Sequence, residues 1–277
     1  RTMNIPGRLA LVAGSGDLVP QAIAAARDAG WEVRVLTLQP RPDLEAEHPF
    51  QIKVSRPDQV LREIRRFKAT HVCAVGGMNM SDKERETFAE FAGDKDAAAK
   101  GDSKLSQLGA ALLKILGLPF IGVHEIVSDL LAPQGQIGAV HADGELIRTA
   151  EFAFAAARKA GSLDLGQALV AAGARIIATE DIGGTDELLT RCAAYRERGL
   201  IGNGRGRLVL AKTSKPGQPL HVDLPAIGKN TVALAQNAGI EAIVVETGRT
   251  LLIGRGELIS AANAADIALV GIAAQDD

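Results

Sequence analysis

The stretch "AKTSKPGQPLHVDLPAIGKNT", residues 211–231, gathers Lys212, Lys215, Gln218, His221, Asp223 and Asn230 among turn-forming residues. Lys212 and Lys215, three residues apart, would attract phosphate oxygens as compact point charges. Asp223 closes an expected strand over 219–223 and could hold a divalent cation or orient a water. Strand alternation sends its side chain to the face opposite Val222 and Leu224, and Pro225 biases Leu224, the next residue, toward the extended form. The competing reading is a solvated hairpin carrying ordinary surface charge.

Two further stretches are unusual for scaffold. "LDLGQALV", residues 163–170, sets the polar Gln167 beside Gly166 at the opening of an apolar strand. "TEDIGGTDELLTR", residues 179–191, sets Gly183, Gly184, Thr185 and Asp186 where a strand meets a helix. Thr185 or Asp186 would cap that helix, and a capped helix N-terminus can still face a phosphate. Asp186 and Glu180 are the carboxylates to which the search moves if Asp223 takes no part.

Near the start of the chain, "LALVAGSGDLVPQAIAAA", residues 9–26, runs from an apolar strand through Gly14, Ser15 and Gly16 into a helix. Backbone N–H groups and the helix dipole make such a turn an anion site, unless it is only a tight turn. The dinucleotide fingerprint is incomplete, because its third glycine is missing and Pro20 stands near the place. The second strand, 32–38, ends in Thr37, Leu38 and Gln39 without the carboxylate that holds ribose hydroxyls. Arg41 could serve a 2′-phosphate, which keeps an NADP-linked oxidoreductase as an alternative. A non-catalytic nucleotide-binding regulator is the third reading.

Composition narrows the field. Lys plus Arg number 31 against 33 Asp plus Glu, so nothing calls for nucleic acid as a partner. Cys73 and Cys192 lie far apart, without metal-ligand spacing, as in a reducing compartment. No apolar run approaches the roughly 18 residues of a spanning helix. The expectation is a soluble, cytoplasmic protein, with peripheral membrane contact left open. Zincin, nucleophile-elbow and Walker motifs are absent, and the five histidines are scattered. Any metal would be a hard ion such as Mg²⁺, held by carboxylates and phosphate oxygens. Lysines and carboxylates without an evident nucleophile suggest direct attack of water on phosphorus.

The elements that must position these residues alternate. Strands are expected at 8–13, 32–38, 71–76 and 118–123, with helices at 19–29 and 57–67 and two more within 82–116. That order implies a parallel sheet with right-handed crossovers. The glycine- and proline-rich stretch 132–146 reads as a boundary: a Rossmann-like domain over 1–135, a linker at about 136–145 and a separate α/β domain over 146–277. The second domain has expected helices at 147–160, 184–196, 229–238 and 257–264. Its expected strands are 166–171, 174–179, 207–213, 219–223, 241–246, 250–253 and 266–271.

Taken in order, "GSGDLVP", "GDSKL", "SDLLAPQGQIG", "LDLGQALV", "TEDIGGTDELL", "AKTSKPGQPLHVDLPAIGKNT" and "ETGRTLLIGRGELISAANAADIALVGI" resemble the LpxI-type UDP-2,3-diacylglucosamine pyrophosphatases over nearly the whole chain. The resemblance implies two domains and hydrolysis of a lipid-linked UDP-sugar to UMP and 2,3-diacylglucosamine 1-phosphate (lipid X), a step of lipid A synthesis. It implies water attack on the β-phosphorus assisted by a divalent cation, usually Mg²⁺, and work near the cytoplasmic face of the inner membrane. Matched residue by residue, it places Gly14, Gly16 and Pro20 in the first loop, and Gly101 with Asp102 in a Gly-Asp pair. Asp164 and Gln167 fall in an Asp-x-Gly-Gln motif, and Glu180, Gly184, Thr185 and Asp186 in a Glu-x-x-x-Gly-Thr-Asp motif. Lys212, Lys215, Gln218 and Asp223 fall in the last motif. The candidate site is therefore Asp223, Asp186, Lys212 and Lys215 for catalysis, with Asp223, Asp186 and Glu180 as metal ligands. Gly14, Ser15, Gly16, Asp102, Gln167, Gly184, Thr185 and Gln218 are the substrate contacts. Gly183, Pro219 and His221 depart from the family pattern and receive no essential role.

Overall fold

The computed structural model describes residues 7–37, 39–52, 56, 58–77, 82–91, 117–203, 206–215 and 224–274. Asp102, Gln218, Asp223 and the expected strand 219–223 lie outside the described residues. The chain forms two compact units, one ending at Ser128 and the next beginning at Asp129.

The first unit carries β1 (Arg8–Ala13), α1 (Leu18–Asp28), β2 (Glu32–Thr37), β3 (Phe50–Gln51), α2 (Asp58–Phe67), β4 (His71–Val75), α3 (Asp82–Phe91) and α4 (Val123–Ile126). Its strands pair in the order β3-β2-β1-β4, all parallel. Such a sheet needs cover on both faces, so β1 is apolar from Leu9 to Ala13, with Leu9, Ala10 and Leu11 fully buried. Ala10 packs with Leu36, Ile52 and Ile64, while α1 buries Val19, Ala22, Ile23 and Ala26. The expected strand 118–123 shrinks to a single bridge, in which Pro119 O accepts from Val72 N and Ile121 N donates to Val72 O at 2.8 Å. Pro119 has no N–H to extend the ladder, and Gly122 already begins α4, its N–H donating to the Glu125 carboxylate at 2.9 Å.

In the second unit the elements are β5 (Gly135–Gln136), α5 (Gly144–Ser162), β6 (Ala168–Ala172), β7 (Arg175–Thr179) and α6 (Gly184–Glu197). After these come β8 (Leu208–Lys212), β9 (Ala226–Ile227), α7 (Lys229–Ala238), β10 (Ala242–Glu246), β11 (Leu251–Leu252), α8 (Arg255–Ala264) and β12 (Ala268–Ile272). The main sheet runs β5-β12-β10-β8-β6-β7. β8, β10 and β12 are parallel, while β5, β6 and β7 pair antiparallel to their neighbours. Strand alternation divides two cores. Leu169, Ala171, Val209, Ala211, Ala242 and Val244 pack on α5, whereas Val170, Leu208, Leu210, Ile243 and Val245 pack with buried residues of α6, α7 and α8.

Residues 136–145, expected as a linker, are built into this unit. Gln136 pairs with Val270, and Asp143 caps α5 by accepting from Glu145 N at 3.0 Å and Leu146 N at 2.9 Å. The expected start of that helix at 147 thus moves to Gly144, because the cap lies earlier than the apolar periodicity shows. Among the described residues, no helix is long and apolar enough to cross a membrane.

The glycines after β1 have a packing role. Gly14 N donates to Val75 O at 2.8 Å, Ser15 N to Gly77 O at 2.9 Å, and Gly77 N returns to Ser15 O at 3.1 Å. A Cβ on Gly14 would stand 2.2 Å from Gly77 O, and one on Gly76, at φ +90°, 2.3 Å from Ser15 O. The loops after β1 and β4 therefore close on each other, at the point where the strand order reverses. Gly14→Ala should destabilise the first unit by about 2 kcal/mol or more, since backbone on both sides must shift. Trp31, the chain's one tryptophan, lies in this unit with its ring edge-on to His71 at 4.9 Å between centroids. Its fluorescence during urea unfolding reads the effect as a lowered midpoint; an unchanged midpoint would show that the loops do not depend on this contact.

Candidate functional site

In the second unit, strand register brings the chemistry-bearing motifs to one end of the sheet. Lys212 lies opposite Val245 of β10 and Ala168 of β6, and Leu169 lies opposite Thr179 of β7. The end of β8, the start of β6 and the end of β7 are thus neighbours. Thr213 N donates to Gln167 O at 2.9 Å, and Glu180 N to Ala168 O at 2.8 Å, extending the ladder by one step on each side.

Glu180 joins two motifs that are separate in sequence. Its Oε2 accepts from Gln167 N at 2.6 Å and Ala168 N at 3.1 Å, and its Oε1 accepts from the Thr185 hydroxyl at 2.7 Å. Gly166, at φ +115°, has to be glycine here, because a Cβ would stand 2.8 Å from Glu180 O. Thr185 is buried one residue inside α6, with Gly183 in the capping position and Gly184 left-handed at φ +75°. Neither Thr185 nor Asp186 caps the helix, contrary to the capping reading of this segment; Thr185 bonds back to Glu180. Asp186 lies exposed in the first turn of α6, where the dipole favours its charge, and accepts from Asn230 Nδ2 at 3.0 Å. Asn230 belongs to the first turn of α7, so the two helix N-termini stand side by side.

Both lysines have partners. Lys212 Nζ donates to Ala226 O at 2.9 Å, just ahead of α7. Lys215, largely buried, forms an ion pair with Asp164, which holds a left-handed φ of +57° where the chain leaves α5. Gln167, Glu180, Gly184, Thr185, Asp186, Lys212 and Lys215 all lie in the second unit, where Glu180 binds Gln167 and Thr185 while Asp186 and the two lysines have partners of their own. Gly14, Ser15 and Gly16 lie in the first unit.

One group escapes the sequence reading. Glu246 ends β10 with 1% of its side chain exposed. Its Oε1 accepts from Arg158 Nη1 at 2.9 Å, and its Oε2 accepts from Ser214 N at 2.8 Å and Ser214 Oγ at 2.7 Å. The available signal was a carboxylate directly after four apolar residues of a strand, in "AIVVETGRT". The one cation near it in sequence, Arg249, approaches Oε1 only to 3.9 Å, and the arginine that bonds it, Arg158, is 88 residues away.

Family comparison settles the lineage. Residues 8–130 match the LpxI N-terminal domain, and residues 133–270 match the LpxI C-terminal domain. The chain belongs to the LpxI family. It is 30% identical over 282 residues to the UDP-2,3-diacylglucosamine pyrophosphatase LpxI of Caulobacter vibrioides, covering 97% of this chain and 99% of that one. In this LpxI chain Arg41 is no fork for a 2′-phosphate. Its guanidinium donates to Gly14 O at 2.5 Å and Gly16 O at 3.2 Å and pairs with Asp43 at 2.6 Å. Asp43 holds that guanidinium above its ordinary pKa range.

Of the three carboxylates expected to hold a metal, Asp223 lies outside the described residues and Glu180 is already committed within the fold. Both Glu180 oxygens are engaged by protein donors, and no group of three or more His, Cys, Asp or Glu is placed to hold an ion among the described residues. Glu180 instead has a structural signature that substitution reads out. Glu180→Gln keeps one acceptor oxygen, and the Thr185 hydroxyl can turn to accept from the new amide. Glu180→Ala leaves two backbone N–H groups without a partner, at about 1–3 kcal/mol. The expected order of thermal midpoints is wild type, then Gln, then Ala well below; equal midpoints for all three would remove Glu180 from the scaffold.

Proposed function

We propose that this chain hydrolyses the pyrophosphate of UDP-2,3-diacylglucosamine to UMP and 2,3-diacylglucosamine 1-phosphate, the lipid A step that its relative's name denotes. The observation that carries this reading is the convergence of Lys212 and Lys215 with the first turns of α6 and α7 at one sheet end. Ammonium groups and helix N-termini together make a field suited to a pyrophosphate and to the charge that grows on it during displacement. Water is the nucleophile in this reading. The hydroxyls of Thr185 and Ser214 are buried and donate to carboxylates. Burial pushes the thiols of Cys73 and Cys192 up to about 12 and about 11, so neither forms a thiolate near neutral pH. Water's oxygen joins the phosphorus next to the sugar, and the bridging oxygen leaves with UMP. Asp223 is the base that takes the water's proton in this reading. The substrate's two acyl chains bring the enzyme to the cytoplasmic face of the inner membrane, a contact that co-sedimentation with vesicles reads.

The test is incubation of the purified chain with UDP-2,3-diacylglucosamine across several divalent metals, followed by identification of the products. UMP and the sugar monophosphate are expected; intact substrate under every condition would overturn the reading. Asp223→Ala should fold and bind substrate yet turn over at least about a hundredfold more slowly. Lys212→Met and Lys215→Met should each lower kcat by about a hundredfold, as expected for lost stabilisation of developing charge. Activity near wild type in both lysine variants would reduce the segment to a solvated hairpin.

A further inference from the structure

We propose that Glu246 is a positioning residue that fixes the turn after Lys212, and so sets where the Lys215 ammonium stands relative to that of Lys212; this rests on the hydrolase reading above. The regular ladder of β8 ends at Lys212, and the last bond beyond it runs from Thr213 N to Gln167 O at 2.9 Å. Ser214 lies past the sheet. What grips it is Glu246 Oε2, which takes its N–H at 2.8 Å and its Oγ–H at 2.7 Å. Lys212, two residues before Ser214, reaches Ala226 O, and Lys215, directly after it, reaches Asp164. A rotation at Ser214 would swing Lys215, while Lys212 stays in the β8 ladder.

Glu246 is itself held in direction. Ala242 and Val244 face the α5 core, while Ile243 and Val245 face the opposite one. The next alternation turns Glu246 to the α5 side, where Arg158 meets its other oxygen at 2.9 Å. A carboxylate with both oxygens engaged and almost no exposure has one geometry open to it, and it passes that geometry to the donors it holds. Replacing such a buried pair with apolar residues often costs a fold nothing, so the pair is better explained by what it orients than by what it stabilises.

The experiment measures kcat and KM for wild type, Ser214→Ala, Lys215→Met and the double variant, with circular dichroism to confirm the fold. Ser214→Ala removes one of the two donors and is expected to lower kcat about tenfold or more, with KM within about twofold. In the Lys215→Met background the same change should do nothing further, because the positioned group is gone. Glu246→Gln, close to isosteric, provides a second reading by the same criteria should Ser214→Ala fail to fold. A Ser214→Ala enzyme with wild-type kcat, or a loss that multiplies fully with that of Lys215→Met, overturns the positioning role while a slow Lys215→Met keeps the hydrolase reading. A Lys215→Met enzyme as fast as wild type overturns the lysine reading, and the positioning role with it.

Discussion

The second unit depends on one carboxylate reached by three donors. Glu180 stands where β7 ends and must satisfy the N–H groups of Gln167 and Ala168, where β6 opens, and the Thr185 hydroxyl at once. That demand decides several things together. It makes Gly166 obligatory, because nothing larger fits beside Glu180 O. It pins the first turn of α6 against the strand it follows. Through Asp186 and Asn230 it then places α7 beside α6. A motif spread over residues 164–167 and another over 180–186 are therefore one clasp, and neither is intelligible without the other.

The two glycine-rich loops of the chain answer to different constraints. In the first unit, Gly14 and Gly76 exist because two backbone segments touch, and Arg41 staples the outside of that contact through two carbonyls. Glycine after a parallel strand is often read as room for a phosphate, yet here the room at Gly14 is filled by Gly77 O. Gly16 differs: at φ +99° it has open space where a side chain would be. Within "GSG" the first glycine is a packing residue and the second a conformational one.

What could be read from the chain follows from how local each cause is. The long strands declared themselves, since runs such as "RLALVA", "ALVAA" and "AIVVE" are apolar on both faces and closed by turn residues. The two-residue strands Gly135–Gln136 and Ala226–Ile227 did not, because two residues carry no periodicity and their pairing is decided by partners far along the chain. The run at 118–123 had strand composition, but Pro119 and the start of α4 left only Phe120 to pair. The site shows the same division. Lys212, Lys215, Glu180 and Thr185 stood out because polar residues interrupted apolar patterning. Thr185 and Asp186 looked like caps because a cap is a local event, whereas their partners, Glu180 and Asn230, are set by the fold. Glu246 drew no notice, since Arg158 and Ser214 reach it only once α5 has packed on the sheet.

The charges of the second unit also sort by exposure, and that sorting bears on how a site can be both rigid and responsive. Glu246 and Arg158 are held within the fold, and their mutual attraction is screened little by water. Asp164 is partly exposed, and its ion pair with Lys215 stands nearer the solvent. An anion arriving at Lys215 can compete with a half-exposed carboxylate, since the displaced Asp164 regains hydration as it leaves. It cannot compete in the same way at Glu246, where displacement would strand a charge without water. The buried pair therefore acts as the fixed reference and the outer pair as the exchangeable one. Their separation along five backbone atoms or so, from Ser214 to Lys215, is short enough that the rigidity of the first limits the freedom of the second.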